Sequence, residues 1–80
     1  MIVAPYSTEK TLMLIDKENS IQFKVSSDAT KKDIKRDVER MFDVGVEKVN
    51  VRWGRKGKMA IVKLVPKDSA GDLATRLGVI

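Results

Sequence analysis

Residues 46–65 read VEKVNVRWGRKGKMAIVKLV, and the pattern predicts a β-hairpin. Apolar side chains recur at every second position in both halves of this stretch. They are Val49, Val51, Ala60, Val62 and Leu64. A period of two gives each strand one face for a core and another for a different environment. Gly54 and Gly57 lie between the halves, and glycine tolerates the positive φ angles at which a chain reverses. We therefore expect two strands joined by a tight turn.

Positive charge is concentrated at the predicted turn, residues 52–58. Four of its seven side chains are cationic, and none is acidic. The cations are Arg52, Arg55, Lys56 and Lys58, and Trp53 lies among them. Because crowded cations repel one another, the isolated fold gains nothing from them. An anionic partner offsets this repulsion, and the pattern favours RNA.

The composition limits the classes of function. Eighty residues predict one small domain, 1–80, with no room for a cofactor domain. The absence of Cys and His excludes disulfides, thiolate catalysis, Cys/His zinc sites and imidazole acid–base chemistry. No apolar run approaches the roughly 20 residues of a membrane helix, and the N-terminus lacks the features of a signal peptide. We expect a cytoplasmic protein without cofactor, metal site or membrane insertion.

The net charge of +5 is unevenly distributed. Residues 31–65 carry eleven Lys/Arg against five Asp/Glu. Residues 1–30 carry three Lys/Arg and four Asp/Glu, and residues 66–80 carry two of each kind. Solubility requires net charge but does not require the positive charge to be concentrated in residues 31–65. The distribution therefore favours a nucleic-acid partner.

Short local signals predict the other elements. Residues 2–4 form a weak edge strand, residues 8–17 a helix capped by Ser7, and residues 21–25 a strand. The clearest helix spans residues 30–42, with Thr30 as N-cap and Asp33 completing a capping box. Its apolar face consists of Ile34, Val38, Met41 and Phe42, and Gly45 is predicted as its left-handed terminator. A last helix begins at Ser69 and stops at Gly78.

These elements follow the order strand, helix, strand, helix, hairpin, helix. The order predicts an α+β fold with a small mixed or antiparallel sheet of three to four strands and helices packed on it. The helix at residues 30–42 links two strands and therefore carries the main crossover.

Four segments, in order along nearly the whole chain, carry a family pattern. They are PYSTEK at 5–10, ATKKDIK at 29–35, VGVEKVN at 44–50 and KMAIVKL at 58–64. Together they resemble the universal large-ribosomal-subunit protein number twenty-three family in its archaeal form. Met59 departs from the pattern, which often has a second basic residue there, and Trp53 is unusual at its position. The turn is also shorter than the long loop of bacterial relatives.

The resemblance implies a non-catalytic structural constituent of the large ribosomal subunit, acting in translation in the cytoplasmic ribosome. It implies binding to large-subunit rRNA near the peptide exit tunnel, beside neighbouring large-subunit proteins. It also implies docking of factors that meet the nascent chain, including the signal recognition particle and the protein-conducting channel. Thr8 and Glu9 match the docking position, although a first-turn carboxylate is also explained by the helix dipole alone. No small-molecule substrate is expected.

The candidate rRNA-binding residues combine the charge pattern with the resemblance, which contributes Lys10. They are Lys10, Lys31, Lys32, Lys35, Arg36, Asn50, Arg52, Trp53, Arg55, Lys56 and Lys58. Three alternatives stay open. Trp53 stacks on an unpaired base or packs in the core, as its alternation with Val49 and Val51 also suggests. Asn50 binds a 2′-hydroxyl or pairs within the strand region. The cations of residues 31–36 bind phosphate or form a solvated helix face.

Two other functions compete with the ribosomal one. A free-standing RNA-binding module typically stacks bases on two or three aromatic side chains of its sheet. In this sequence only Phe23 and Trp53 lie in predicted strands or at their ends. A small acylphosphatase-like enzyme needs an N-terminal phosphate-binding loop with an Arg and an Asn. Residues 4–10 contain neither Gly nor Arg, so the sequence disfavours this enzyme.

Overall fold

The computed structural model describes residues 2–5, 9–55 and 57–78. The described residues form four strands and three helices in the predicted order. They are β1 (Ile2–Pro5), α1 (Glu9–Glu18), β2 (Ser20–Val25), α2 (Lys31–Phe42), β3 (Val46–Gly54), β4 (Gly57–Leu64) and α3 (Ala70–Leu77). The predicted N-cap of α1, Ser7, lies outside the described residues.

The strands form one antiparallel sheet in the order β1-β2-β4-β3, with β1 at an edge. Both β2 and β3 pair antiparallel with β4, so they run parallel to each other on either side of it. The helix α2 connects them and crosses over β4. The predicted α+β class and the crossover role of α2 are therefore confirmed.

One face of the sheet, here called the core face, is buried. It is formed by Ile21, Phe23, Val49, Ala60 and Val62. Helix α2 packs against it, because the ring of Phe42 stacks on that of Phe23 with centroids 5.8 Å apart. Ile34 and Val38 of α2 are fully buried in the same cluster. Each such aliphatic side chain contributes about 1.5–3 kcal/mol on burial.

The start of α2 confirms the capping box. The Thr30 hydroxyl accepts a hydrogen bond from the Asp33 N–H at 3.2 Å, and the Asp33 carboxylate accepts one from the Thr30 N–H at 3.2 Å. The bond from the Thr30 backbone is the main cause that lowers the pKa of Asp33 from 3.8, followed by the Thr30 side chain. The first turn is thus closed by its own side chains.

Two predictions about the end of α2 are wrong. The residue in the left-handed region is Asp43, with φ 54° and ψ 50°, rather than Gly45. Met41 is 62% exposed, because the buried stripe advances by four residues from Ile34 through Val38 to Phe42.

Gly45 is needed for a close approach instead. A Cβ at this position would lie 2.8 Å from a methyl carbon of Val65. The Gly45 N–H donates to the Asp68 carboxylate at 2.7 Å, and the Gly45 carbonyl accepts from the Val65 N–H at 3.0 Å. These bonds hold the start of β3 against the segment that follows β4.

Asn19 joins the α1–β2 turn to the segment between β4 and α3. Its φ of 52° lies in the left-handed region, which Asn tolerates better than most residues. The side-chain nitrogen donates to the Asp68 carbonyl at 2.9 Å, and the side-chain oxygen accepts from the Ala70 N–H at 2.7 Å. Helix α3 then begins at the predicted N-cap Ser69 and ends at Gly78, whose φ is 76°.

Candidate RNA-binding surface

The β3–β4 hairpin is tighter than the sequence predicts. The strands pair up to Gly54 and Gly57, so residues 55 and 56 alone connect them. Gly57 has a φ of 110°, which requires glycine. Arg52, Trp53 and Lys58 therefore lie on the strands rather than in a loop, which corrects the predicted turn at residues 52–58. Arg55 is exposed at the end of the hairpin, and Lys56 lies outside the described residues.

Trp53 does not pack in the core, so that alternative is wrong. Strand alternation puts it on the side of Val49 and Val51, but its side chain is 68% exposed. Directly across the hairpin, the Lys58 ammonium lies 5.9 Å from the centroid of the Trp53 ring. An exposed indole at this place can stack on a base.

Lys58 already has partners within the protein. Its ammonium donates to the carbonyl of Ser27 at 3.3 Å and to that of Ala29 at 2.5 Å. These contacts tie the hairpin to the β2–α2 loop, two residues before Lys31. The structure thus brings Trp53 and Lys58 close to the basic start of α2, and two of the three N–H donors of the Lys58 ammonium are already used within the protein.

Asn50 and Arg52 lie on the opposite side of the sheet, here called the second face. The paired residues of β2, β4 and β3 form three rows on it. The rows are Ser20, Lys63 and Lys48; Gln22, Ile61 and Asn50; and Lys24, Met59 and Arg52. Residues two apart on a strand are about 6.6 Å apart, so the outer rows lie roughly 13 Å from each other.

The second face includes three cations that the sequence reasoning missed. They are Lys24, Lys48 and Lys63, all exposed. Lys48 pairs directly with Lys63, and like charges in opposite positions destabilise a sheet. Glu47, which a register shift inserts between Val46 and Lys48, lies 3.5 Å from the Lys63 ammonium. This half-exposed pair is worth little, so the described part of the second face stays positive.

The four predicted cations of α2 are all exposed. They are Lys31, Lys32, Lys35 and Arg36. Arg36 pairs with Asp33 at 3.2 Å and with Asp37 at 3.8 Å, which reduces its positive charge for an outside partner. Because α2 packs on the core face, these cations are separated by the sheet from Arg52 and Asn50. Lys10 and Glu9 begin α1, and Thr8 lies outside the described residues.

Within residues 2–5, 9–55 and 57–78, no cluster of three or more carboxylates could hold a metal ion. In the same residues, no helix has both the length and the apolar composition of a membrane span.

Comparison with known proteins assigns the family. The model of the family described as Ribosomal protein L23 matches residues 1–69. Large ribosomal subunit protein uL23 of Thermoplasma acidophilum is 47% identical over 79 residues, covering 99% of this chain and 94% of that protein. The uL23 proteins of Picrophilus torridus and Methanothermobacter thermautotrophicus are 45% and 44% identical, over 98% and 99% of the chain and 95% and 93% of their own lengths.

The matches extend over almost the full lengths of these relatives, and all three are named as ribosomal proteins of the large subunit. The predicted family is confirmed, and the acylphosphatase-like alternative is wrong. The chain therefore belongs to the ribosomal protein L23 family, a non-enzymatic family of large-subunit ribosomal proteins.

Proposed function

We propose that this protein binds large-subunit rRNA near the peptide exit tunnel through the β3–β4 hairpin. The observation that carries the proposal is the exposure of Arg52, Trp53 and Arg55 at one end of a two-strand ribbon. Arginine guanidinium groups form paired hydrogen bonds with phosphate, and an exposed indole offers a flat surface for a base. Asn50, on the same strand, can hydrogen-bond a 2′-hydroxyl.

The cations at the start of α2 form the other part of this proposal. Lys31, Lys32 and Lys35 are exposed. Lys31 and Lys32 lie in the first turn of α2, where the helix dipole disfavours positive charge by up to about 1 kcal/mol each. A phosphate backbone that passes from the hairpin end to this helix would compensate that repulsion. If RNA covers these cationic surfaces, neighbouring large-subunit proteins would contact the rest of the protein surface.

Charge reversal tests the hairpin. The double variant Arg52→Glu/Arg55→Glu should lose most affinity for archaeal large-subunit rRNA, because it removes two phosphate ligands and adds two repulsive charges. A matched control is Lys17→Glu/Lys67→Glu, which changes the net charge equally at exposed residues away from the hairpin. Equal affinity of the two variants in a filter-binding assay would remove the hairpin from the interface. Circular dichroism checks that both variants fold.

We further propose that the first turns of α1 dock factors that meet the nascent chain, such as the signal recognition particle and the protein-conducting channel. In the described part of α1, the side chain of Met13 is 53% exposed and that of Leu12 is 39% exposed, four and three residues after Glu9 in the sequence. Neighbouring apolar side chains that are exposed are typical of a protein–protein contact.

The variants Glu9→Lys and Met13→Ser test this docking. Each should weaken binding of purified signal recognition particle to ribosomes that carry the variant protein. Affinity for rRNA should stay unchanged, because both positions lie outside the hairpin and α2. Docking at the level of the unsubstituted protein in both variants would leave Glu9 as a first-turn carboxylate and nothing more.

A further inference from the structure

A cleft opens on the second face between the sheet and α1. Its volume is about 210 Å3. It is lined by Leu14, Glu18, Ser20, Lys48, Asn50, Arg52, Ile61 and Lys63. The volume is below the roughly 300–1,000 Å3 of sites for drug-sized ligands. The cleft therefore suits a group smaller than such a ligand, such as one nucleobase.

The polarity of the cleft changes along the sheet. Ile61 forms an apolar floor in the middle row, between the paired residues Gln22 and Asn50. Leu14 of α1 contributes an apolar side chain from the other wall. The outer rows place Lys48 and Lys63 at one end and Arg52 at the other. Apolar contacts in the centre and cations at both ends match a base flanked by phosphates.

We propose that this cleft receives one unpaired nucleotide of the bound RNA. The base lies against Ile61 and Leu14, Asn50 hydrogen-bonds the base edge or the 2′-hydroxyl, and the flanking phosphates contact the cations at the two ends. The proposal rests on the rRNA binding proposed above and adds the second face to it. The base must be unpaired, because a base enters a protein cleft only after it has left its stack and its pairing partner.

Charge complementarity selects an anionic occupant. Three cations line the cleft against one carboxylate, Glu18. Lys48 and Lys63 face each other directly across two strands, and the described contacts neutralise only one of them, through Glu47. The fold would be more stable without that pairing. An RNA backbone that shares both ammonium groups accounts for it.

Nuclear magnetic resonance on the intact chain tests the site directly. The probes are the four ribonucleoside 5′-monophosphates, with ribose 5-phosphate and inorganic phosphate as controls that lack a base. The nucleotides should shift the backbone amide signals of Asn50 and Ile61 more than either control does. Equal shifts from nucleotides and base-free phosphates would overturn a site for a base, as would the absence of any shift at these amides.

A variant pair extends the test to RNA. Ile61→Thr keeps a β-branched residue in the strand but removes apolar surface from the floor. It should reduce affinity for archaeal large-subunit rRNA by about tenfold and abolish the nucleotide-specific shifts. The matched control Met41→Thr makes a similar loss of apolar surface at an exposed position near the end of α2 and should change neither. Thermal unfolding of both variants checks that the fold persists.

The two proposals fail in different ways. In one case, the unsubstituted protein and Ile61→Thr bind rRNA equally well, and neither shows nucleotide-specific shifts. This result would overturn the nucleotide site in the cleft but would leave the proposed rRNA binding by the hairpin intact. If the unsubstituted protein does not bind rRNA, the proposed function is overturned, and the nucleotide titration still decides whether the cleft accepts a base.

Discussion

Replacing Asn19 should destabilise the protein more than its partly exposed position suggests. The side chain makes two short hydrogen bonds, 2.9 Å to the Asp68 carbonyl and 2.7 Å from the Ala70 N–H. Removing one partner of a buried hydrogen bond costs about 1–3 kcal/mol, and a left-handed conformation costs residues other than Gly, Asn and Asp about 1–2 kcal/mol more. We therefore expect Asn19→Ala to lower the free energy of unfolding by about 2–5 kcal/mol.

A domain of 80 residues has roughly 4–12 kcal/mol of stability, so this loss is a large share of the total. Asn19→Gly separates the two causes, because glycine adopts the positive φ freely but also lacks the side chain. Urea unfolding followed by circular dichroism should give Asn19→Gly a loss about 1 kcal/mol smaller than that of Asn19→Ala. Losses below about 1 kcal/mol in both variants would refute the role of Asn19 as the link between the two segments.

Three further perturbations test separate features. Gly45→Ala should lower the free energy of unfolding by about 1–3 kcal/mol, because the added Cβ would lie 2.8 Å from a Val65 methyl carbon. Urea unfolding measures this loss, and a neutral effect would contradict the close packing. Trp53→Ala should change stability by less than about 1 kcal/mol yet weaken rRNA binding roughly five- to hundredfold, since the ring is exposed; unchanged affinity would exclude stacking. The lowered pKa of Asp33 means that its contribution is present above the ordinary value of 3.8 and is lost as the pH falls through the lowered pKa. Acid titration of α2 helicity should therefore lose this step in Asp33→Asn, and an unchanged titration would contradict the capping box.

Local signals were enough to predict the elements. The Thr30 capping box, the Ser69 cap and the Gly78 terminator each depend on residues within one helical turn, so a short window of sequence contains them. The prediction of Gly45 as the terminator of α2 was wrong because the role of Gly45 depends on a distant residue. Gly45 packs against Val65, twenty residues later, and Asp43 takes the left-handed conformation instead.

The candidate surface was predicted only in part, because it depends on strand order. Alternation alone puts Lys24, Lys48 and Lys63 away from the core, but their proximity follows from β4 lying between β2 and β3. Trp53 shows the same limit. Its alternation indicates the core side, whereas its exposure depends on which parts of the sheet the rest of the chain covers.

The central claim is that exposed cations on and around the β3–β4 ribbon bind a folded rRNA site. The most direct measurement is the affinity of the protein for fragments of archaeal large-subunit rRNA across a salt series. Each phosphate contact contributes about −0.7 to −0.9 to the slope of log affinity against log salt concentration. Four or five contacts therefore predict a slope of about −3 to −4.5, together with preference for one fragment. A flat salt dependence, or equal affinity for every fragment, would contradict a specific rRNA site.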